Sequence, residues 1–317
     1  MGDARNIAIL AGGFSSEREI SLKSGQAIER GLAKAGYRAT LVDVTGPEIP
    51  ELSLPFDAIF IALHGKFGED GTVQEMLEAA HLPYTGSGPQ ASRLAMDKLL
   101  SKEAFLARHV PTPPYFAAHK SDHPETVTSR ADALGWPLVI KPLAEGSSVG
   151  ITIARDAGEM AAGIDTVFAK SDVALIEKYI KGRELTVGIL GCAALPIVEV
   201  QPAREFYDYT AKYENSGTQY IPNVELPHQL RERVQASALE AFKALGCRDM
   251  ARVDLILDDK GHVYVLEVNT IPGFTEKSLL PKAAASAGIA FDALCEQIVK
   301  FALARSSAVH STSGNSV

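Results

Sequence analysis

The stretch Arg252-Val253-Asp254-Leu255-Ile256-Leu257-Asp258-Asp259-Lys260-Gly261-His262-Val263-Tyr264-Val265-Leu266-Glu267-Val268-Asn269 reads as two apolar strands joined by a polar turn. Residues two apart in a strand share a face, so Arg252 stands with Asp254 and Glu267 with Asn269. A hairpin turning through Asp258 to Gly261 makes the strands antiparallel. The register that opposes Asp254 to Glu267 then also opposes Arg252 to Asn269. Carboxylates directly opposite each other lie about 5 Å apart and repel. A divalent cation between them removes the repulsion, and an oxygen-only ligand set of this kind suits Mg²⁺ completed by phosphate oxygens. The alternative is an exposed hairpin face with solvated charges; the apolar residues on every side favour the metal.

Other strands precede this hairpin: Leu185 to Leu190, Leu195 to Val200, Asp172 to Tyr179, and Leu138 to Lys141 with Ile151 to Ala154. Residues 201–220 are polar, aromatic and strand-poor, and a loop that long inside a compact domain is either a functional lid or a misassigned element. Leu230, Val234, Ala238, Ala241 and Leu245 keep helical spacing. Towards the start, Ile7-Ala8-Ile9-Leu10 opens into Gly12-Gly13 as a buried parallel strand does at its carboxyl end. A helix with Ile28, Leu32 and Ala35 on one face follows and stops at Gly36. Leu41 to Val44 and Asp57 to Leu63 are further strands, and Thr72-Val73-Gln74-Glu75 has capping-box spacing. Strands alternating with helices predict a parallel, Rossmann-like α/β domain over residues 1–95. Pro111 to Pro114 mark a second change of pattern, and the Ser-rich tail 306–317 is expected to be disordered.

Composition narrows the class. The chain has 317 residues, 46% hydrophobic and 22% charged, and a formal net charge of −8. An acidic surface argues against nucleic acid as the main partner. No run approaches the ~20 apolar residues of a membrane helix. Cys192, Cys247 and Cys295 are three in number, far apart and without metal-ligand spacing, which fits a reducing cytoplasm.

Several shorter motifs carry two readings each. Glu145-Gly146-Ser147-Ser148-Val149-Gly150, close after Lys141, is either a phosphate-cradling loop or a plain turn. Neither a P-loop nor G-x-G-x-x-G is present. Asn269-Thr270-Ile271-Pro272-Gly273, followed by Ser278 at a helix start, offers N–H groups to an oxyanion or a carboxylate, or is a structural turn with a serine cap. His64 ends a strand of the first domain, where α/β sheets place ligands, although a lone histidine is more often structural. Lys98, Lys141, Lys178 and Lys212 would each ordinarily be solvated.

Taken in order, these residues resemble the D-alanine–D-alanine ligases of the ATP-grasp superfamily. The resemblance runs from about Asn6 to Leu303. It is carried by Gly12-Gly13 with Ser16-Glu17-Arg18-Glu19, and by Ala62-Leu63-His64-Gly65 with Gly68-Glu69-Asp70-Gly71-Thr72. Pro83 to Gly88, Met96-Asp97-Lys98, Lys141-Pro142 with the Glu145 to Gly150 loop, and Phe206 to Tyr209 with Ala211-Lys212-Tyr213 continue it. Glu267-Val268-Asn269-Thr270 with Pro272-Gly273 completes the series. Phe14, Val268 and Ile271 depart from the family pattern conservatively.

The resemblance implies an N-terminal α/β domain followed by a two-part α+β ATP-grasp fold, central over 96–180 and C-terminal over 181–305, with residues 201–220 as lid. It implies that ATP is a co-substrate with two Mg²⁺ ions per site, Mn²⁺ substituting, and that Asp254, Glu267 and Asn269 are their ligands. Lys98, Lys141 and Lys212 are implied at the phosphates, Glu177, Lys178, Tyr179 and Ile180 at adenine, and Glu184 at ribose. Glu17 is implied to hold the first substrate's ammonium, with Ser147 and Tyr213 linking it to the lid and His64 near the carboxylate. Arg252 and the Gly273 N–H are implied at the oxyanion, and Ser278 with Leu279 at the second carboxylate. The implied reaction joins two D-alanines through an acyl phosphate for peptidoglycan precursor synthesis, in a cytoplasmic homodimer. Tyr213 in the lid goes with the dipeptide-forming branch rather than D-lactate users. A nucleotide-binding module without catalysis would lack a metal carboxylate or the oxyanion arginine, and this chain keeps Asp254, Glu267, Asn269 and Arg252.

Overall fold

The computed structural model describes residues 4–143, 150–201 and 217–313, with side chains of the last helix through Arg305. The chain opens with β1 (Asn6–Gly12), α1 (Arg18–Lys34), β2 (Arg38–Val44), β3 (Ala58–Ile61) and α2 (Thr72–Ala79). Both β2 and β3 pair with β1 in parallel, giving the order β2-β1-β3. Both faces of β1 are covered, which is why Ile7 to Ala11 are all apolar and all fully buried. Gly12 and Gly13 take φ of +85° and +80° where β1 ends. That left-handed backbone is open to glycine and turns the chain towards Glu17.

The expected capping box does not form. Thr72 is the first residue of α2, behind Gly71 at φ +89°, and its side chain caps nothing. Asp70 does this work: its Oδ1 accepts from Thr72 N–H at 3.0 Å, and its Oδ2 from Phe67 N–H at 2.8 Å. An acidic side chain at the turn reaches the N-terminal amides better than a threonine already inside the helix.

The central part contains α3 (Pro89–Met96), α4 (Lys98–Ala107), β4 (Tyr115–His119), α5 (Pro124–Leu134), β5 (Leu138–Pro142), β6 (Thr152–Ala154), α6 (Ala157–Phe168) and β7 (Val173–Lys178). Its sheet is antiparallel, in the order β4-β7-β5-β6. The last part contains β8 (Gly182–Leu190), β9 (Ala193–Gln201), β10 (Gln219–Pro222), α7 (His228–Ala244), β11 (Met250–Asp258), β12 (Val263–Asn269), α8 (Leu279–Ser286) and α9 (Phe291–Ser313). Its antiparallel sheet runs β10-β9-β8-β11-β12.

Three departures from the sequence reading stand out. The segment 201–220 is bounded by a strand pair, Gln201 opposite Gln219, so its ends belong to the sheet; the lid expected between them lies outside the described residues over 202–216. The chain does not lose structure at Ser306, because α9 continues to Ser313. Helical backbone here extends an amphipathic run whose first half is buried, which a serine-rich composition conceals. Thirdly, α9 returns to the first sheet: Leu294, Cys295, Ile298, Val299 and Ala302 share one buried cluster with Ile7, Ile9, Phe60, Ile28 and Leu32. None of the three cysteines forms a disulfide. No helix among the described residues is long and apolar enough to cross a membrane.

Candidate active site

The hairpin β11–β12 has the register expected from its sequence: Arg252 opposes Asn269, Val253 opposes Val268, and Asp254 opposes Glu267. The register shifts just beyond, so that Leu255 opposes Val265 and Leu266 is the extra residue. The bulge separates the segment carrying the four polar residues from the regular pairing of Leu255 to Leu257 with Val265 to Val263, and re-aims that end of the hairpin. Asp254 is 8% exposed, and both of its oxygens accept from Arg252, from Nε and from one terminal guanidinium nitrogen at 2.8 Å each. Each carboxylate oxygen keeps a second lone pair, so this fork leaves acceptor capacity on Asp254. Asn269 Oδ1 accepts from the Ile271 N–H at 3.0 Å, which fixes the amide and starts the turn to Gly273. The donor set of two carboxylates and one amide oxygen therefore fits a small hard cation that fills its remaining positions with water or phosphate oxygens.

Lys98 begins α4. The helix is capped by Asp97, whose Oδ1 accepts from Leu99 and Leu100 N–H. That cap sets Lys98 Nζ 4.0 Å from Glu267 Oε2, bringing the first phosphate candidate to the carboxylate pair. The backbone N–H of Lys98 donates to the Leu143 carbonyl at 3.2 Å, so it also sits at the mouth of the Gly/Ser loop. Lys141 Nζ lies 2.6 Å from Glu177 Oε2.

Glu177, expected at adenine, bridges two lysines. Its side chain is 2% exposed, with one oxygen on Lys141 and the other 2.7 Å from Lys102 Nζ. Burial alone would raise its pKa, but Lys141 and Lys102 together hold it below the usual carboxylate range. Each of its oxygens meets one lysine and keeps a second lone pair, so the carboxylate retains acceptor capacity. The strand then continues towards the rest of the expected adenine segment, Tyr179 and Ile180. Lys178 Nζ donates to the Trp136 carbonyl at 2.9 Å, and its N–H donates to the Pro114 carbonyl at 2.8 Å. Glu184 is half-buried on β8, opposite Val200 and Ile256.

A second cluster gathers at the carboxyl end of β3. Glu17, at the N-cap position of α1, is 9% exposed, and its Oε2 lies 2.9 Å from where a Cβ on Gly65 would stand. Only glycine admits that approach. Ser15 Oγ donates to the His64 carbonyl at 2.8 Å and accepts from the Glu17 N–H. His64 is 6% exposed, with Nε2 at 3.3 Å from Ser24 Oγ. Burial pushes its pKa down against the opposing pull of Glu17 and of its bond to the Ile271 backbone, so the ring is neutral at pH 7. Ser24 Oγ also accepts from the Phe274 N–H at 3.1 Å. This serine clamps the Asn269–Phe274 turn onto His64, so the two halves of the expected substrate site are one structure. Within the turn, Ser278 Oγ accepts from Thr275 N–H at 3.0 Å and lies 3.3 Å from the Cβ position of Gly273. Ser278 is the N-cap residue of α8, but its side chain does not cap that helix, leaving the first-turn amides from Leu279 onwards to other acceptors. Ser147, Lys212 and Tyr213 lie outside the described residues.

Three members of the site were not singled out for a role by the sequence: Lys102, Ser24 and Glu69. Glu69 Oε2 accepts from the Gly65 N–H at 2.6 Å, beside Glu17. Burial, reinforced by the charge of Glu17, pushes its carboxyl up to about 8. Between the ordinary carboxylate range and pH 8 the folded chain thus holds a proton that the unfolded chain has lost, and stability falls as pH rises through that window. Glu69→Gln is expected to remove this dependence. Its melting temperature should gain on wild type from pH 5 to pH 8.5 in a thermal-shift series, and a constant difference would refute the assignment.

Comparison with known proteins gives a consistent result. A family model described as D-ala D-ala ligase C-terminus matches residues 106–300, and one described as D-ala D-ala ligase N-terminus matches residues 46–87. The chain is 45% identical over 296 residues to the D-alanine–D-alanine ligase of Syntrophotalea carbinolica, covering 93% of this chain and 95% of that one. It is 44% identical to the enzyme of the same name from Geobacter sulfurreducens, with 92% of each covered. Among solved structures, the D-alanine–D-alanine ligase of Bacillus anthracis complexed with ATP superposes with a TM-score of 0.86 at 37% identity, over 96% of this chain and 99% of that chain. The VanG D-Ala:D-Ser ligase of Enterococcus faecalis superposes with a TM-score of 0.84 at 26% identity, over 95% and 100%.

Proposed function

The chain belongs to the D-alanine–D-alanine ligase family, and from that premise we propose that it joins two D-alanines at the expense of ATP, for peptidoglycan precursor synthesis. The observation that carries the reading is the register of β11 and β12, which sets Arg252, Asp254, Glu267 and Asn269 on one hairpin face beside Lys98. The three units are residues 1–95, 96–180 and 181–305, with nucleotide held between the second and third. The enzyme works in the cytoplasm as a homodimer.

In this mechanism the first D-alanine binds with its ammonium on Glu17, and neutral His64 faces its carboxylate. Lys98 and Lys141, with Lys212 from the lid, hold the triphosphate; Glu184 holds the ribose, and the Lys178 to Ile180 backbone borders adenine. A free carboxylate acylates poorly because oxide is its leaving group. Its attack on the γ-phosphorus gives an acyl phosphate and ADP, and so replaces that leaving group with phosphate. The second D-alanine, its carboxylate on Ser278 Oγ and the Leu279 N–H, presents its amine to the activated carbonyl. Arg252, aimed by its fork onto Asp254, and the Gly273 N–H receive the oxyanion of the tetrahedral intermediate, which collapses by breaking its carbon–oxygen bond to phosphate and releases phosphate and the dipeptide. Ser147 and Tyr213 complete the link from Glu17 to the lid and exclude water from the acyl phosphate. Asp254, Glu267 and Asn269 would hold two Mg²⁺ ions, or Mn²⁺, which neutralise charge at the transferring phosphoryl group.

The D-Ser-specific relative shares this fold, so the fold alone does not choose the second substrate; Tyr213 supports D-alanine. The deciding experiment incubates purified protein with ATP, Mg²⁺ and D-alanine, with and without D-lactate or D-serine. The product is identified by mass and chirality while ADP release is followed. D-alanyl-D-alanine with stoichiometric ADP is expected, and ADP release without any dipeptide would sink the reading.

A further inference from the structure

Lys102 follows Lys98 by one turn on α4 and points to the same side of the helix. It is 1% exposed, a degree of burial that a lysine tolerates only with partners. The ammonium has them: Glu177 Oε1 at 2.7 Å and Thr112 Oγ1 at 2.6 Å, with the Tyr115 ring centroid 5.3 Å away. Glu177 gives its other oxygen to Lys141 at 2.6 Å. Thr112 Oγ1 donates onward to the Val265 carbonyl at 2.8 Å, and the Val265 N–H donates to the Pro111 carbonyl at 2.8 Å. Val265 lies on β12, two residues before Glu267. One buried ammonium therefore connects the strand bearing Lys141 to the strand bearing Glu267.

We propose that Lys102 is a positioning residue for ATP, cancelling the charge of Glu177 so that the charge of Lys141 remains available to phosphate, and pinning β12 at a fixed distance from Lys141. The proposal rests on the reading of Lys141 as a phosphate ligand. Its logic is a charge count. Lys141 with Glu177 alone is a neutral pair, whereas Lys102, Glu177 and Lys141 together carry one net positive charge. A polyanion beside the cluster responds to that net charge, and in a partly buried site one unit charge at ~8 Å corresponds to roughly a ten- to thirtyfold change in affinity.

The test measures KM for ATP, KM for D-alanine and the inhibition constant of adenosine, which lacks phosphates. The variants are Lys102→Met, Lys102→Met/Glu177→Gln and Lys141→Met. Lys102→Met is expected to raise KM for ATP at least about tenfold and to leave the adenosine constant within about twofold. The double variant restores one net positive charge and offers Lys141 an amide oxygen, so its KM for ATP should return to within about threefold of wild type. An unchanged KM for ATP in Lys102→Met overturns the proposal, as does equal weakening of ATP and adenosine. Should Lys102→Met not fold, the double variant still decides, since a tenfold rise there overturns it. Lys141→Met separates the two levels. A normal KM for ATP in that variant overturns the phosphate role of Lys141 and this proposal with it. A raised KM there beside a normal one in Lys102→Met overturns the role of Lys102 alone.

Discussion

Glu267→Gln is expected to reduce ADP formation at saturating ATP and Mg²⁺ by on the order of a thousandfold, with little change in thermal stability. Glutamine preserves the size, the β-strand position and the hydrogen-bonding oxygen of residue 267, so the pairing with Asp254 on the neighbouring strand has no steric reason to fail. What it removes is one of two facing carboxylate charges, at the point where Lys98 Nζ also converges at 4.0 Å. A cation held there loses a charged ligand, and the phosphoryl group loses charge neutralisation that is worth several kcal/mol in its transition state. In the free protein, removing one of two opposed carboxylates relieves repulsion, so the melting temperature should hold or rise slightly. The measurement pairs a coupled ADP assay with differential scanning fluorimetry. Wild-type turnover would overturn the ligand assignment, and a collapse in melting temperature would show that the residue is structural.

Glu177→Leu is expected to act in the opposite way, through the fold. It leaves Lys102 and Lys141 without their shared carboxylate, and removing one member of a buried ionic cluster typically costs about 3–5 kcal/mol. The pH dependence of that loss is diagnostic. Burial already pulls the Lys102 pKa below its ordinary value, with Glu177 as the chief opposing influence. Without Glu177 the folded-state pKa falls further, so the unfolded chain binds a proton that the folded chain cannot keep. Stability then rises with pH between the depressed pKa and the ordinary lysine range. The variant should therefore recover part of its lost stability on going from pH 7 to pH 9.5 in urea unfolding monitored by circular dichroism. A loss below about 1 kcal/mol, or one independent of pH, would mean that water already screens the cluster.

The two kinds of residue differ in how far they can be read from sequence. The Asp254–Glu267 register follows from alternation and a short turn, because a hairpin has almost no freedom once its turn is placed. The parallel first sheet follows from short, fully apolar runs ending in glycine. Glu177 was legible as part of an adenine-facing segment, yet the structure buries its side chain between two lysines, because a strand sends alternate residues to opposite faces and only the fold says which face is closed. Lys102 carries no sequence signal beyond its spacing from Lys98, since its partners come from distant segments. Glu69 stood in a quoted motif, but the charge of Glu17 beside it arises only when α1 and the β3 end meet. The Ser-rich end of α9 misled for a related reason: composition reports solvation, whereas helix continuation is set by the turn before it.

The contribution of α9 to the core around β1 and β3 has a consequence for how this protein is made. A nascent chain can assemble the three-stranded sheet early, but the apolar flank of α1 around Ile28 and Leu32 stays uncovered until Leu294 to Ala302 leave the ribosome. A segment synthesised early waits for one synthesised much later, which makes this flank a natural target for chaperones during translation.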